Sequence, residues 1–162
     1  MADRTGVLFV CLGNICRSPL AEGIFVHRAR QRGVLGCFDV DSCGTGAWHV
    51  GERADSRSIA VARRHGVELP SIARQLDPRA DFARFEWIMA MDRSNVRNLV
   101  RAGADAGRVR LLRTFDPALA GSPEVEVEVP DPYEWEGDGF ESVYQMLDVA
   151  CEGLLRFLLD QD

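Results

Sequence analysis

Two side chains near the start of the sequence carry the chemistry of an anion site: Cys11 and Arg17, with Ser18 directly after the arginine. Between them run Leu12, Gly13, Asn14, Ile15 and Cys16. A thiolate is a strong nucleophile, and a guanidinium presents two parallel N–H donors to two phosphate oxygens. A turn curled over a helix N-terminus aims its backbone N–H groups at one point, where the helix dipole adds partial positive charge. The same field favours the thiolate of a cysteine at the base of the turn. Gly13 offers a positive φ if the turn needs one, and the short amide of Asn14 can brace the curl from inside. Ser18 can cap a helix and also hydrogen-bond the sulfur. The bare spacing from cysteine to arginine decides little in a chain with 5 Cys and 19 basic residues, every one of them arginine. The setting decides more: the turn lies between an apolar run and a Ser-Pro helix start.

The elements that must hold this turn follow from hydrophobic pattern and punctuation. Residues 6–10 (GVLFV) read as a buried parallel strand. A helix opens with Ser18 as N-cap and Pro19 at its first position, runs to about residue 31 and stops near Gly33. Residues 38–42 form a second strand, and Asp55 caps a helix through His65, with Gly66 past its end. Residues 87–91 (WIMAM) form a third strand, Asp92 caps a helix to about Val100, and residues 109–112 form a fourth strand. The stretch 114–139, rich in Pro, Gly, Asp and Glu, reads as loop; within it the Glu/Val alternation at 124–128 fits either an edge strand or a solvated loop. Apolar residues at helical spacing close the chain as a helix over 140–159. The pattern predicts a single α/β domain over residues 1–162, with an open, four-stranded, mostly parallel sheet and helices on both faces. Ligands of such sheets sit at the carboxyl ends of the strands, near a switch in strand order, and the turn at 11–18 is placed for that.

Composition narrows the classes of function. With 162 residues and 46% hydrophobic content the chain can bury a full core without disulfides or a metal. A net charge of −6 argues against nucleic acid and against stable membrane association. The absence of lysine removes Schiff-base chemistry, a pyridoxal phosphate anchor and a Walker phosphate loop. No leader-like pattern and no membrane-length apolar run is visible, so the expected location is the cytoplasm, with the cysteines reduced. Cys11, Cys16, His27, His49 and His65 match no zinc-ligand spacing, and no metal or organic cofactor is expected.

The run from Cys11 to Glu22 (CLGNICRSPLAE) resembles the signature of low-molecular-weight protein-tyrosine phosphatases. The likeness continues through residues 42–51 (SCGTGAWHVG), 73–75 (ARQ) and 91–95 (MDRSN), and ends with Asp131-Pro132-Tyr133. It therefore covers essentially the whole chain. The resemblance implies hydrolysis of phosphotyrosine in proteins, with Cys11 as nucleophile, Arg17 and the loop amides holding phosphate, and Asp131 as general acid and then base. A phenolate leaves more readily when protonated, and the flanking Pro130 and Pro132 stiffen the segment that would supply the proton. Trp48 and Tyr133 correspond to the aromatic walls of the family's pocket, and Cys16 to a cysteine that can pair reversibly with the nucleophile; a small apolar filler is an equal reading of Cys16.

The chain departs from the family in two places. Glu134 and Trp135 follow Tyr133 where a second tyrosine is common, and Ile72 stands near a position where some members carry a histidine that supports the loop. Related phosphoarginine phosphatases have threonine where this chain has Ile15, which favours tyrosine. A same-fold arsenate reductase would need further redox cysteines mid-chain, and none occurs between Gly44 and Ala150. A non-catalytic phosphotyrosine-binding module is the rival of another class; its expected mark, loss of Cys11, Arg17 or Asp131, is missing.

Overall fold

The structure is a computed structural model and describes residues 3–133 and 139–161. Its first strand, β1 (Thr5–Cys11), leads through the turn into α1 (Arg17–Gln31). There follow β2 (Phe38–Gly44), α2 (Ser56–Arg64), α3 (Pro78–Arg84), β3 (Trp87–Ala90), α4 (Arg93–Arg101), β4 (Val109–Leu111) and α5 (Gly139–Leu159). The sheet order is β2-β1-β3-β4, and all three pairings are parallel, so the expected mostly parallel sheet is wholly parallel.

β1 is central because its middle is apolar on both faces: Val7, Leu8, Phe9 and Val10 are fully buried. Its alternate residues feed two cores. Val7 and Phe9 pack with Leu20, Ile24 and Phe25 of α1 and with Val143, Leu147 and Leu154 of α5. Leu8 and Val10 face the other side, with Ile88, Phe85 and Leu99 of α4. The chain leaves β1 toward β2 on one side and returns to β3 on the other. The carboxyl end of β1 is therefore the switch point, and Cys11 is its last residue, in register with Gly44.

Four details differ from the sequence expectations. Ser18 does not cap α1: the helix begins at Arg17, Cys16 holds the cap position without a side-chain bond, and Ser18 and Pro19 lie in the first turn. Pro19 is tolerated there because first-turn N–H groups lack intrahelical partners. α3 is an additional short helix, capped by Asp77 with proline directly after it. Within 114–139 the chain is not plain loop but makes 3-10 turns at Pro117–Leu119 and Glu124–Val127, so the Glu/Val alternation is neither edge strand nor open loop. Leu112 opens another such turn instead of ending β4. Asp55 and Asp92 do cap α2 and α4, each accepting a backbone N–H. Among the described residues no helix is long and apolar enough to cross a membrane.

Candidate active site

The turn after β1 closes around the Cys11 sulfur. Asn14 donates its backbone N–H to Cys11 Sγ at 3.3 Å, and Ser18 Oγ lies 3.0 Å from the same sulfur. The residue with left-handed backbone is Asn14 (φ 58°), not Gly13, and it is the one non-glycine with positive φ among the described residues. Asparagine accepts that conformation better than most residues, and here its side chain is fully engaged. Nδ2 donates to Ser18 Oγ at 2.7 Å and to Ser42 Oγ at 3.0 Å, while Oδ1 accepts the Arg74 N–H at 3.0 Å. Both amide hydrogens are used on hydroxyls, so Ser18 Oγ accepts from Asn14 while lying 3.0 Å from the sulfur and 3.4 Å from the Cys43 carbonyl. The amide orientation is fixed in turn by Ser42, whose hydroxyl donates to Glu22 Oε1 at 2.5 Å. Burial, with Asp41 nearby, pushes the Glu22 carboxyl up to about 7.

Glycines let the backbone of the turn approach its neighbours. Thr45 and Gly46 donate their N–H groups to the carbonyls of Cys11 and Leu12 at 3.0 and 2.9 Å. A Cβ on Gly44 would sit 2.7 Å from Leu12 O, and one on Gly13 would meet the His49 ring at 3.0 Å.

Arg17 is buried and aimed by two groups far away in sequence. Nη1 donates to Asp92 Oδ2 at 2.7 Å and to the Val129 carbonyl at 2.9 Å; Nη2 lies 3.7 Å from Asp131 Oδ2. Burial opposes its charge, but Cys11 and the bond to Asp92 outweigh that and raise its proton affinity further. Asp131 is half-exposed and accepts the Tyr133 N–H at 3.1 Å, an Asx turn that orients its carboxyl.

Cys11, Leu12, Gly13, Ile15, Cys16, Arg17 and Asp131 line one cavity of about 230 Å³, together with Trp48, His49 and Tyr133. Asn14 and Ser18 are not on that lining; both are buried and act on the sulfur from behind. Trp48 is 71% exposed and its ring lies against Gly46, where any Cβ would clash with it. Tyr133 is held by Arg57, which donates to its carbonyl at 3.0 Å, passes over its ring at 5.6 Å, and is itself paired with Asp55. Burial and then Asp55 push the Cys16 thiol well above its usual range.

The sequence reading missed His49 as a lining residue, Asp92 as a partner of Arg17, and Ser42 and Glu22 as supports of Asn14. Ile72 is half-exposed, and support for the turn near it comes from the Arg74 N–H. Glu134 and Trp135 lie outside the described residues.

Residues 6–162 match the family described as low molecular weight phosphotyrosine protein phosphatase. The low molecular weight protein-tyrosine-phosphatase of Streptomyces coelicolor is 44% identical over 158 residues, covering 96% of this chain and 94% of that protein. The crystal structure of YfkJ from Bacillus subtilis superposes with a TM-score of 0.89 at 34% identity, over 99% of this chain and 98% of the other. That of a protein tyrosine phosphatase from Entamoeba histolytica gives 0.87 at 34% identity, over 96% and 97%. A profile match over nearly the whole chain, joined to the thiol-and-guanidinium turn at the switch point, makes this chain a member of the low molecular weight phosphotyrosine protein phosphatase family.

Proposed function

We propose that the chain hydrolyses phosphotyrosine in proteins, and simple aryl phosphates, through a cysteinyl-phosphate intermediate. The observation that carries this reading is the shared cavity of Cys11, Arg17 and Asp131, in which Arg17 Nη2 lies 3.7 Å from Asp131 Oδ2. The Cys11 thiolate attacks phosphorus in line while Arg17 and the loop amides bind the equatorial oxygens. Asp131 gives its proton to the leaving phenolic oxygen, forming tyrosine and the S–P bond. Water then attacks the phosphocysteine, Asp131 takes its proton, and inorganic phosphate and the thiolate are released. In the resting site the Asp131 carboxyl faces Arg17 at 3.7 Å, and a bound phosphate takes over that guanidinium. Trp48 and Tyr133 flank the ring of the substrate, and Ile15 favours tyrosine over arginine as the phosphate carrier.

The substrates are phosphotyrosine-containing proteins met in the cytoplasm, with no metal or organic cofactor, no nucleic acid and no stable membrane association. Residues 1–162 act as one catalytic domain.

The test is hydrolysis of an aryl phosphate at mildly acidic pH with chelator present, by freshly reduced protein. Turnover is expected in the wild type, absent in Cys11→Ser and slowed about 10²-fold or more in Asp131→Ala. No turnover by the wild type would replace this reading with a phosphotyrosine-binding module.

A further inference from the structure

Trp48 has two sides. One belongs to the catalytic cavity; the other, with Leu12, belongs to a second cavity of about 440 Å³. Leu76, Pro78 and Ala102 supply further apolar lining, and Gln75 and Asn98 supply side-chain amides. Among the described residues no charged side chain lines it, although 27% of the chain is charged. The dividing wall is built rather than incidental: Trp48 rests on Gly46, at a distance that leaves no room for a Cβ. Leu12 and Trp48 remain 41% and 71% exposed, a large apolar surface held in water beside the reacting sulfur.

We infer that the second cavity is a specificity subsite that takes an apolar side chain of the protein substrate, one or two residues from the phosphotyrosine. The inference rests on the phosphatase reading above. Continuity with the catalytic cavity decides the occupant. When a phosphotyrosine ring enters from the mouth, its own backbone lies at the rim, and each neighbouring residue is displaced by only ~3.3–3.6 Å along an extended chain. Leu12 and the indole, which line both cavities, are the partition to be crossed, and a flanking side chain has the reach to lie on the far side. The amides of Gln75 and Asn98 suit the peptide groups of such a segment, while the apolar lining suits its side chain. A flanking carboxylate would lose water there and gain no cation, so the subsite discriminates against acidic neighbours as well as for apolar ones.

The experiment uses matched phosphotyrosine peptides that carry either leucine or aspartate at the flanking positions. Each is compared with an aryl phosphate, which reaches only the catalytic cavity, as the reference for each protein. In the wild type kcat/KM for the leucine peptide should exceed that for the aspartate peptide by about tenfold, carried by KM. Ala102, at the exposed end of α4, is the site to alter. Ala102→Glu should abolish or reduce the leucine preference, and Ala102→Arg should shift preference toward the aspartate peptide. Equal rates for both peptides in the wild type, or a leucine preference unmoved by both substitutions, would overturn the subsite while leaving aryl phosphate turnover to support the phosphatase reading. Failure on the aryl phosphate itself would remove both.

Discussion

Arg17 is a planar fork fixed at one prong. Asp92 and the Val129 carbonyl together hold Nη1, so the guanidinium plane is set before substrate arrives. A lysine is a single point donor and cannot both keep those two acceptors and reach a phosphate. Arg17→Lys should therefore lower kcat/KM for an aryl phosphate about 10²–10³-fold, with the melting temperature showing that the fold survives. Asp92→Asn is the companion measurement. Asparagine caps helices as well as aspartate does, so α4 should stay within about 1 kcal/mol of wild type while turnover falls about tenfold through a less firmly aimed Arg17. Equal turnover in both proteins would mean that Asp92 serves the helix alone. The sequence marked Asp92 only as a cap, because a contact with Arg17 at a separation of 75 positions leaves no local trace. The Val129 carbonyl was beyond reach for a plainer reason: a backbone acceptor has no residue type. Asn14 was legible as a brace, but its positive φ was not, since glycine next to it was the simpler candidate.

At the scale of elements, the turn from Cys11 to Arg17 depends on a neighbour passing close by. The end of β2 runs under the turn at Gly44, whose added Cβ would meet the Leu12 carbonyl and the Gly13 backbone, neither of which can swing aside. Gly44→Ala should cost roughly 1–3 kcal/mol of stability, measured by denaturant unfolding, and should lower turnover more than tenfold by lifting the turn away from the sulfur. Unchanged kinetics with reduced stability would show that the turn tolerates the shift. The strands and the longer helices were legible because their signals are local: a continuous apolar run in β1, aspartates before α2 and α4, a helical stripe in α5. The start of α1 was misread because the cap-like Ser18 hydroxyl is engaged by Cys11 and Asn14 instead. α3 was overlooked although Asp77 and Pro78 signal it, because seven residues with little apolar periodicity resemble a loop.

Across the whole molecule the titration of one buried acid opposes that of the others. Glu22 is raised from 4.5 to about 7 on folding, so between those values the native state binds more protons than the unfolded chain. Its contribution is thus least unfavourable in acid and costs up to about 3 kcal/mol once pH passes 7. Asp39, Glu141 and Glu152 are lowered, and the stability they confer is lost only as pH falls below the ordinary carboxylate range. Wild type should therefore lose stability between about pH 5 and 7.5, and Glu22→Gln should flatten that segment of the curve. The same slope in both proteins would assign it elsewhere.

The central strand is also the earliest made. Translation at ~5–20 residues per second delivers β1 and its nucleophile well before Val129 and Asp131, and before α5 covers the Phe9 and Phe25 face. For several seconds a ribosome holds a chain that has the Cys11 thiol but lacks both the Val129 carbonyl that steadies Arg17 and the Asp131 carboxyl to which we assign the proton transfer. Because Cys11 and Arg17 precede Val129 and Asp131 by more than a hundred residues, the proposed chemistry cannot be assembled until the later segment has been made.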